Sequence, residues 1–193
     1  MELAIKIKND DKLDAIRYVN FDSWRFAEKN ILLMTSGLAN CIAIVAYYKT
    51  TGAYILGHYD TAKALEFSEE HNFSQSTFAN LKDYLIDKLR IKIGKGFDAR
   101  NVTFHFCLGI IWYDNSNTRY SKLINIIHDV FDVAKPDKGK TARFSPISKM
   151  HVNDNYIEVK DRKDSDKDDK YSEEKFDYQS IRDGKTETKQ CRI

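Results

Sequence analysis

A chain of 193 residues has room for one domain, with an appendage at most, and can bury a sizeable core. Its hydrophobic share of 42% and aromatic share of 12% are ordinary for a globular protein. A formal charge of +2 gives no electrostatic case for nucleic acid or a membrane as partner.

The start, MELAIKIKNDD, alternates Leu3, Ile5 and Ile7 with polar residues and reads as a half-buried strand. It lacks the charged-then-apolar plan of a secretory signal. Residues 12 to 28 carry Ile16, Val19 and Phe26 without a clear period, and fit either a short helix or irregular packing. Ile31 to Met34 reads as a buried strand, and TSGLAN after it as a loop in which Gly37 is free to take a positive φ. Cys41 to Tyr48 and Ala53 to His58 are apolar runs joined by KTTG, the pattern of a hairpin. Such runs are far too short to span a bilayer.

Further on, Ser74 is placed to cap a helix whose stripe is Phe78, Leu81, Leu85 and Leu89. Val102 to Tyr113 reads as a long central strand, and residues 119 to 133 as a helix presenting Leu123, Ile126, Ile127, Val130 and Phe131. KPDKGKTARFSP is turn-rich, and HVNDNYIEVK can supply a last strand. Strands mixed with two clear helices predict an α/β or α+β sandwich. From Asp161 the composition turns to mixed charge without an apolar period. There DSDKDD lacks the turn glycine of a calcium loop and has Lys175 at its twelfth position, so no metal is called for. Tyr171, Phe176, Tyr178 and Ile181 are the anchors available to hold this segment on the domain, with little contribution to the core expected.

Three cysteines, Cys41, Cys107 and Cys191, are odd in number and widely spaced, which argues against a disulfide framework or a zinc ribbon. Cys41 stands out because Thr35 lies six residues before it and His58 seventeen after. With KTTG as the loop, Tyr48 faces Ala53, and His58 falls opposite Ala43 on the face that carries Cys41. Diagonal neighbours of that kind lie about 7–8 Å apart, within reach of an imidazole. A three-residue loop would put the two on opposite faces. A thiol beside an imidazole can attack an amide carbonyl, with the backbone N–H groups of Asn40 and Cys41 as oxyanion donors and Thr35 orienting the base. The same residues also fit plain burial, as isolated strand cysteines and strand-end histidines usually do. His105 and Cys107 share a face too, but bulky neighbours and the lack of a donor loop mark them as structural. His71, His128 and His151 have no convincing partners.

The stretch T-S-G-L-A-N-C, followed seventeen residues later by the H of G-H, resembles the signature of the chemoreceptor glutamine deamidases (the CheD family). Thr35, Gly37, Leu38, Cys41, Tyr48 and His58 stand at matching positions, while Ala39 and Asn40 replace a glycine and a serine. The Thr–Cys–His logic is similar to that of toxin deamidases of the cytotoxic-necrotizing-factor type. Gly139, Arg143 and Phe144 are similar to the family's closing segment. The resemblance implies a sandwich of mixed sheets flanked by helices, and hydrolysis of a protein glutamine side chain to glutamate with release of ammonia.

The sequence thus predicts an α/β sandwich of mixed β-sheets flanked by helices, with a deamidase-like domain over 1–160 and a charged extension over 161–193. Cys41 is the expected nucleophile, His58 the base and acid, and Thr35 the orienter, with Gly37 and Asn40 shaping the oxyanion loop and no cofactor required. The expected partner is a protein bearing the target glutamine, met as a bacterial effector or toxin; nucleic acid and membrane are not expected. A thiol transglutaminase or amidase with the same site, and a non-catalytic binding module, stay open beside it. Synthesis in a reducing cytoplasm is expected, and export without a cleaved signal is compatible with it.

Overall fold

A computed structural model of the protein describes residues 15–66, 73–109, 118–134, 136–144, 151–153 and 169–186. Among these residues ten strands fall in two sheets. The larger holds β2 (Ser23–Ala27), β4 (Ile42–Tyr48), β5 (Tyr54–Tyr59), β6 (Val102–Leu108), β7 (Asp137–Lys138) and β10 (Glu173–Lys175), in the order β10-β2-β5-β4-β6-β7. The smaller is β1 (Ala15–Tyr18), β3 (Ile31–Ser36), β8 (Thr141–Phe144) and β9 (His151–Asn153), in the order β1-β3-β8-β9. Both are mixed: β1 runs parallel to β3 and β7 parallel to β6, and every other pairing is antiparallel. The fold is an α/β sandwich of mixed sheets, as the sequence predicts.

Period-two alternation explains why the larger sheet can face two cores. Ile42, Ile44, Ala46, Ile55, Tyr59, Phe104 and Phe106 point to one side. There they meet Phe78, Leu81, Leu85 and Leu89 of α2 (Gln75–Ile93) and Leu123, Ile127 and Phe131 of α3 (Thr118–Phe131). These are the helical stripes read from the sequence, and Ser74 caps α2 by accepting from the Thr77 N–H at 3.1 Å. Cys41, Ala43, Val45, Leu56 and Cys107 point the other way, onto Ile31, Leu33, Ala142 and Phe144 of the smaller sheet.

Tyr54 pins the two sheets together. Its buried hydroxyl lies 2.6 Å from the Ile31 carbonyl and 2.9 Å from that of Phe144, and accepts from the Leu33 N–H at 3.0 Å. Buried polar groups need such partners, so the spacing of the sheets is set here by hydrogen bonds as well as by packing.

Several expectations need correction. Residues 15–27 are two strands, not a helix or irregular packing. All five residues of β2 are buried, so no alternation marks it. Two six-residue helices, α1 (Thr61–Glu66) and α4 (Tyr178–Asp183), are too short to show a helical period. The segment past Asp161 is anchored through its aromatics, as expected, but it contributes far more core than its composition suggests. β10 extends the larger sheet at β2, while Phe176, Tyr178 and Ile181 are buried in the helix-side core. Residues 169–186 therefore share one core with the residues before Lys160. The proposed Leu3–Ile7 strand, His71, residues 110–113 of the proposed central strand, Cys191 and most of DSDKDD lie outside the described residues. No described helix is long and apolar enough to cross a membrane.

Candidate functional site

The hairpin has the register that a KTTG loop requires. The Tyr48 N–H donates to the Ala53 carbonyl at 2.8 Å, and Ala43 pairs with His58. Cys41, two residues before Ala43, and His58 therefore face the same way, toward the smaller sheet. From across the sandwich β3 presents Thr35, fully buried, to the His58 ring. Three residues from three strand ends converge: Thr35 on β3, Cys41 just before β4, and His58 near the end of β5.

The Thr35 hydroxyl lies 2.8 Å from His58 Nδ1 and donates to the Val19 carbonyl at 2.8 Å. A hydroxyl has one proton, so toward the ring it must accept. Nδ1 therefore carries the hydrogen of the neutral imidazole, and Nε2 keeps its lone pair. Nε2 is buried and has no hydrogen-bond partner among the described residues. The ring is held as an acceptor with nothing to accept.

The Cys41 thiol does not bond to that nitrogen here; its hydrogen-bond partner is Asn40 Oδ1, 3.6 Å from Sγ. Burial, reinforced by the negative charges of Asp60 and Asp22, pushes the thiol up to about 12 against a lowering N–H contact from Thr61. Burial brings His58 down to about 4, aided by Lys175 and opposed by Asp22. These shifts leave both the thiol and the imidazole neutral and closed off near pH 7. Phe21, half exposed, sets its ring edge-on to His58 with centroids 5.4 Å apart.

The loop before Cys41 is fixed at both carbonyls that flank that residue. The Thr61 hydroxyl donates to the Asn40 carbonyl, and the Gly109 N–H donates to that of Cys41 at 3.0 Å. Across a trans peptide the N–H points opposite its carbonyl, so the Cys41 N–H is turned away from Thr61. Gly37 takes φ +73°, which only glycine adopts freely, and the Leu38 N–H donates to the Lys140 carbonyl at 3.0 Å.

Other sequence-predicted residues divide. Gly139 lies beside the site strand, its N–H donating to Leu108 at 3.0 Å. Arg143 and Phe144 belong to β8, Phe144 packing on Tyr54 at 4.9 Å between centroids. Cys107 is buried next to Ala43, and His105 is exposed with its ring 5.4 Å from Phe144. His128 faces solvent beside Asp129. Sequence reasoning missed Gly109, Asp22 and Thr61. A glycine closing a long apolar strand, as in HFCLG, is a known sign of close backbone approach. Asp22 offers weaker signals, being one more turn-forming residue in NFDS.

Among the described residues no group of three or more His, Cys, Asp or Glu is arranged to hold a metal ion. A depression of about 610 Å³ lined by Tyr47, Lys82, Thr103 and His105 lies at the far end of the larger sheet, and none of the converging residues borders it. The chain matches no protein-family model and no curated protein.

Proposed function

We propose that the protein is a protein-glutamine deamidase acting through Cys41, as the resemblance of its Thr–Cys–His signature to the chemoreceptor and toxin deamidases implies. The observation that carries this reading is the oriented imidazole. Thr35 fixes the tautomer, and the free Nε2 sits on the face that also bears Cys41.

With both groups neutral, the proton moves during attack rather than before it. His58 Nε2 takes the thiol proton as Sγ bonds to the carboxamide carbon, and the loop N–H groups of Asn40 and Cys41 receive the oxyanion. The imidazolium returns the proton to nitrogen, the C–N bond breaks, and ammonia leaves a thioester on Cys41. Water then attacks with His58 again as base, the C–S bond breaks, and the product is a glutamate side chain with the thiol restored.

Burial supports the second reading, a binding module that keeps the pair for structure: Cys41 and His58 are each 2% exposed. For the enzyme, substrate entry requires Phe21 and the Asn40 side chain to move aside. Mass spectrometry of protein mixtures treated with wild type or Cys41→Ala decides between them. A Cys41-dependent glutamine-to-glutamate mass gain supports the deamidase, and its absence with the folded wild type favours the module. Incorporation of an added primary amine in place of water identifies a transglutaminase, which shares the acyl-enzyme.

A further inference from the structure

Asp22 has a place at this site that the three-residue mechanism does not use. Its neighbour Ser23 pairs with His58 in the sheet, and its other neighbour, Phe21, touches the His58 ring. The residue is held from three sides. Lys63 of α1 forms an ion pair with Oδ2, the Tyr178 hydroxyl lies beside the carboxylate, and the Phe176 N–H donates to the main-chain carbonyl at 3.3 Å. The backbone there takes φ +61°, an uncommon conformation in which Asn and Asp are enriched. Asp22 is 8% exposed, yet Oδ1 is buried without a hydrogen-bond partner among the described residues.

Two orphaned acceptors thus occur at one end of the larger sheet: Asp22 Oδ1, just before β2, and His58 Nε2 on the paired strand β5. Buried acceptors without donors are costly and rare; Nε2 has the thiol proton to take, which leaves Oδ1 to suit a ligand that brings an N–H of its own. A primary carboxamide carries two on one nitrogen, whereas a peptide-bond nitrogen carries one and an ester oxygen none. The sign of the charge points the same way. A carboxylate here works against a thiolate at Cys41 and in favour of a proton on His58, so it opposes forming the nucleophile. It suits a departing nitrogen that is gaining a proton.

We propose that Asp22 selects the substrate class at this site, primary carboxamides, its Oδ1 accepting one N–H of the side-chain amide and then of the departing ammonia. This rests on the deamidase reading. Asp22 neither gives nor takes a proton; the bond changes stay with Cys41 and His58. Once hydrolysis is complete, its charge faces the new product carboxylate and favours release.

The test compares a glutamine peptide with the same peptide bearing the γ-methyl glutamate ester, for wild type and Asp22→Asn. Asparagine tolerates the positive φ, and a ratio of two substrates on one sample is insensitive to the folded fraction. The expected result is a fall of roughly 10- to 100-fold in the amide-to-ester ratio of kcat/KM, the scale of one hydrogen bond to a charged group. An unchanged ratio, or equal loss on both substrates, overturns the role of Asp22 and leaves the deamidase reading standing. If wild type turns over neither substrate, the deamidase reading falls and takes this proposal with it.

Discussion

Thr35 and His58 are joined by one hydrogen bond whose direction is dictated from outside the pair, because the only proton of the Thr35 hydroxyl goes to the Val19 carbonyl. Replacing Thr35 by valine strands two buried groups at once, the Val19 carbonyl and the His58 Nδ1–H. We expect Thr35→Val to cost about 1–3 kcal/mol of stability. Freed of its anchor, the ring also loses its tautomer preference, so turnover per folded molecule should fall at least tenfold. Thr35→Ser keeps both bonds and should restore turnover to near wild type. Normal turnover in the folded valine variant would remove Thr35 from the mechanism.

Burial of the pair makes stability depend on pH in a stated direction. His58 is lowered from 6.5 to about 4 on folding, so between those values the unfolded chain binds the extra proton. Stability from this residue is present above about 6.5 and is lost as pH falls toward 4, by on the order of 3 kcal/mol. Cys41 gives the opposite limb. Raised from 9.0 to about 12, it makes folding less favourable as pH climbs through that interval. Urea midpoints for wild type and His58→Gln across pH 4 to 7 isolate the first effect as their difference; parallel curves would contradict it.

The same shifts govern reactivity. A preformed thiolate–imidazolium pair alkylates at a plateau rate near neutrality, whereas a neutral thiol accelerates with every unit of pH. Cys41 should therefore react slowly with iodoacetamide at pH 7 and keep accelerating past pH 9. It should still precede Cys107, which is fully buried in the sheet interior. A neutral plateau at Cys41 would show that the closed state is not the reactive one.

How much of this was legible depends on what each residue's role rests on. The Cys41–His58 face was readable because KTTG fixes the loop length and the register carries that choice six pairs down the ladder. Ser74 and the stripes of α2 and α3 were readable because a long helix repeats its signal. β2 was not, since burial on both faces erases alternation. Nor was β10, whose EEK looks like solvated charge; Glu173 instead binds the Asn20 N–H at 2.6 Å and its side-chain amide at 2.8 Å. The protonation states were the least accessible, because burial and the carboxylates of Asp22 and Asp60 come from the tertiary fold.

Gly109 offers a test of the loop. A Cβ there would lie 2.3 Å from the Ala39 carbonyl oxygen and 2.8 Å from that of Cys41, both main-chain atoms. No side chain can yield to make room, so the loop itself must shift. Gly109→Ala should lower turnover per folded molecule at least 10-fold, because misplaced oxyanion donors are costly, and should cost about 1–3 kcal/mol of stability besides. Unchanged turnover would mean that the Asn40 and Cys41 N–H groups are not the donors.

The last test concerns the C-terminal segment. Phe176 lies directly over Gly57, where a Cβ would come within 2.5 Å of its ring, and Gly57 immediately precedes His58. The Asp60 N–H donates to the Tyr178 hydroxyl at 2.9 Å, tying the same segment to the residue opposite Cys41. Burial of Phe176, Tyr178 and Ile181 contributes about 1.5–3 kcal/mol each, a large part of a typical domain's net stability. Truncation after Lys160 should therefore abolish cooperative unfolding. Phe176→Ala should cost about 3–5 kcal/mol. Gly57→Ala alone should destabilise by overpacking, and Phe176→Leu in the same chain should recover part of that loss by vacating the ring's space. Additive losses in the double variant, or a truncated protein that melts like wild type, would mean that the segment merely rests on the domain.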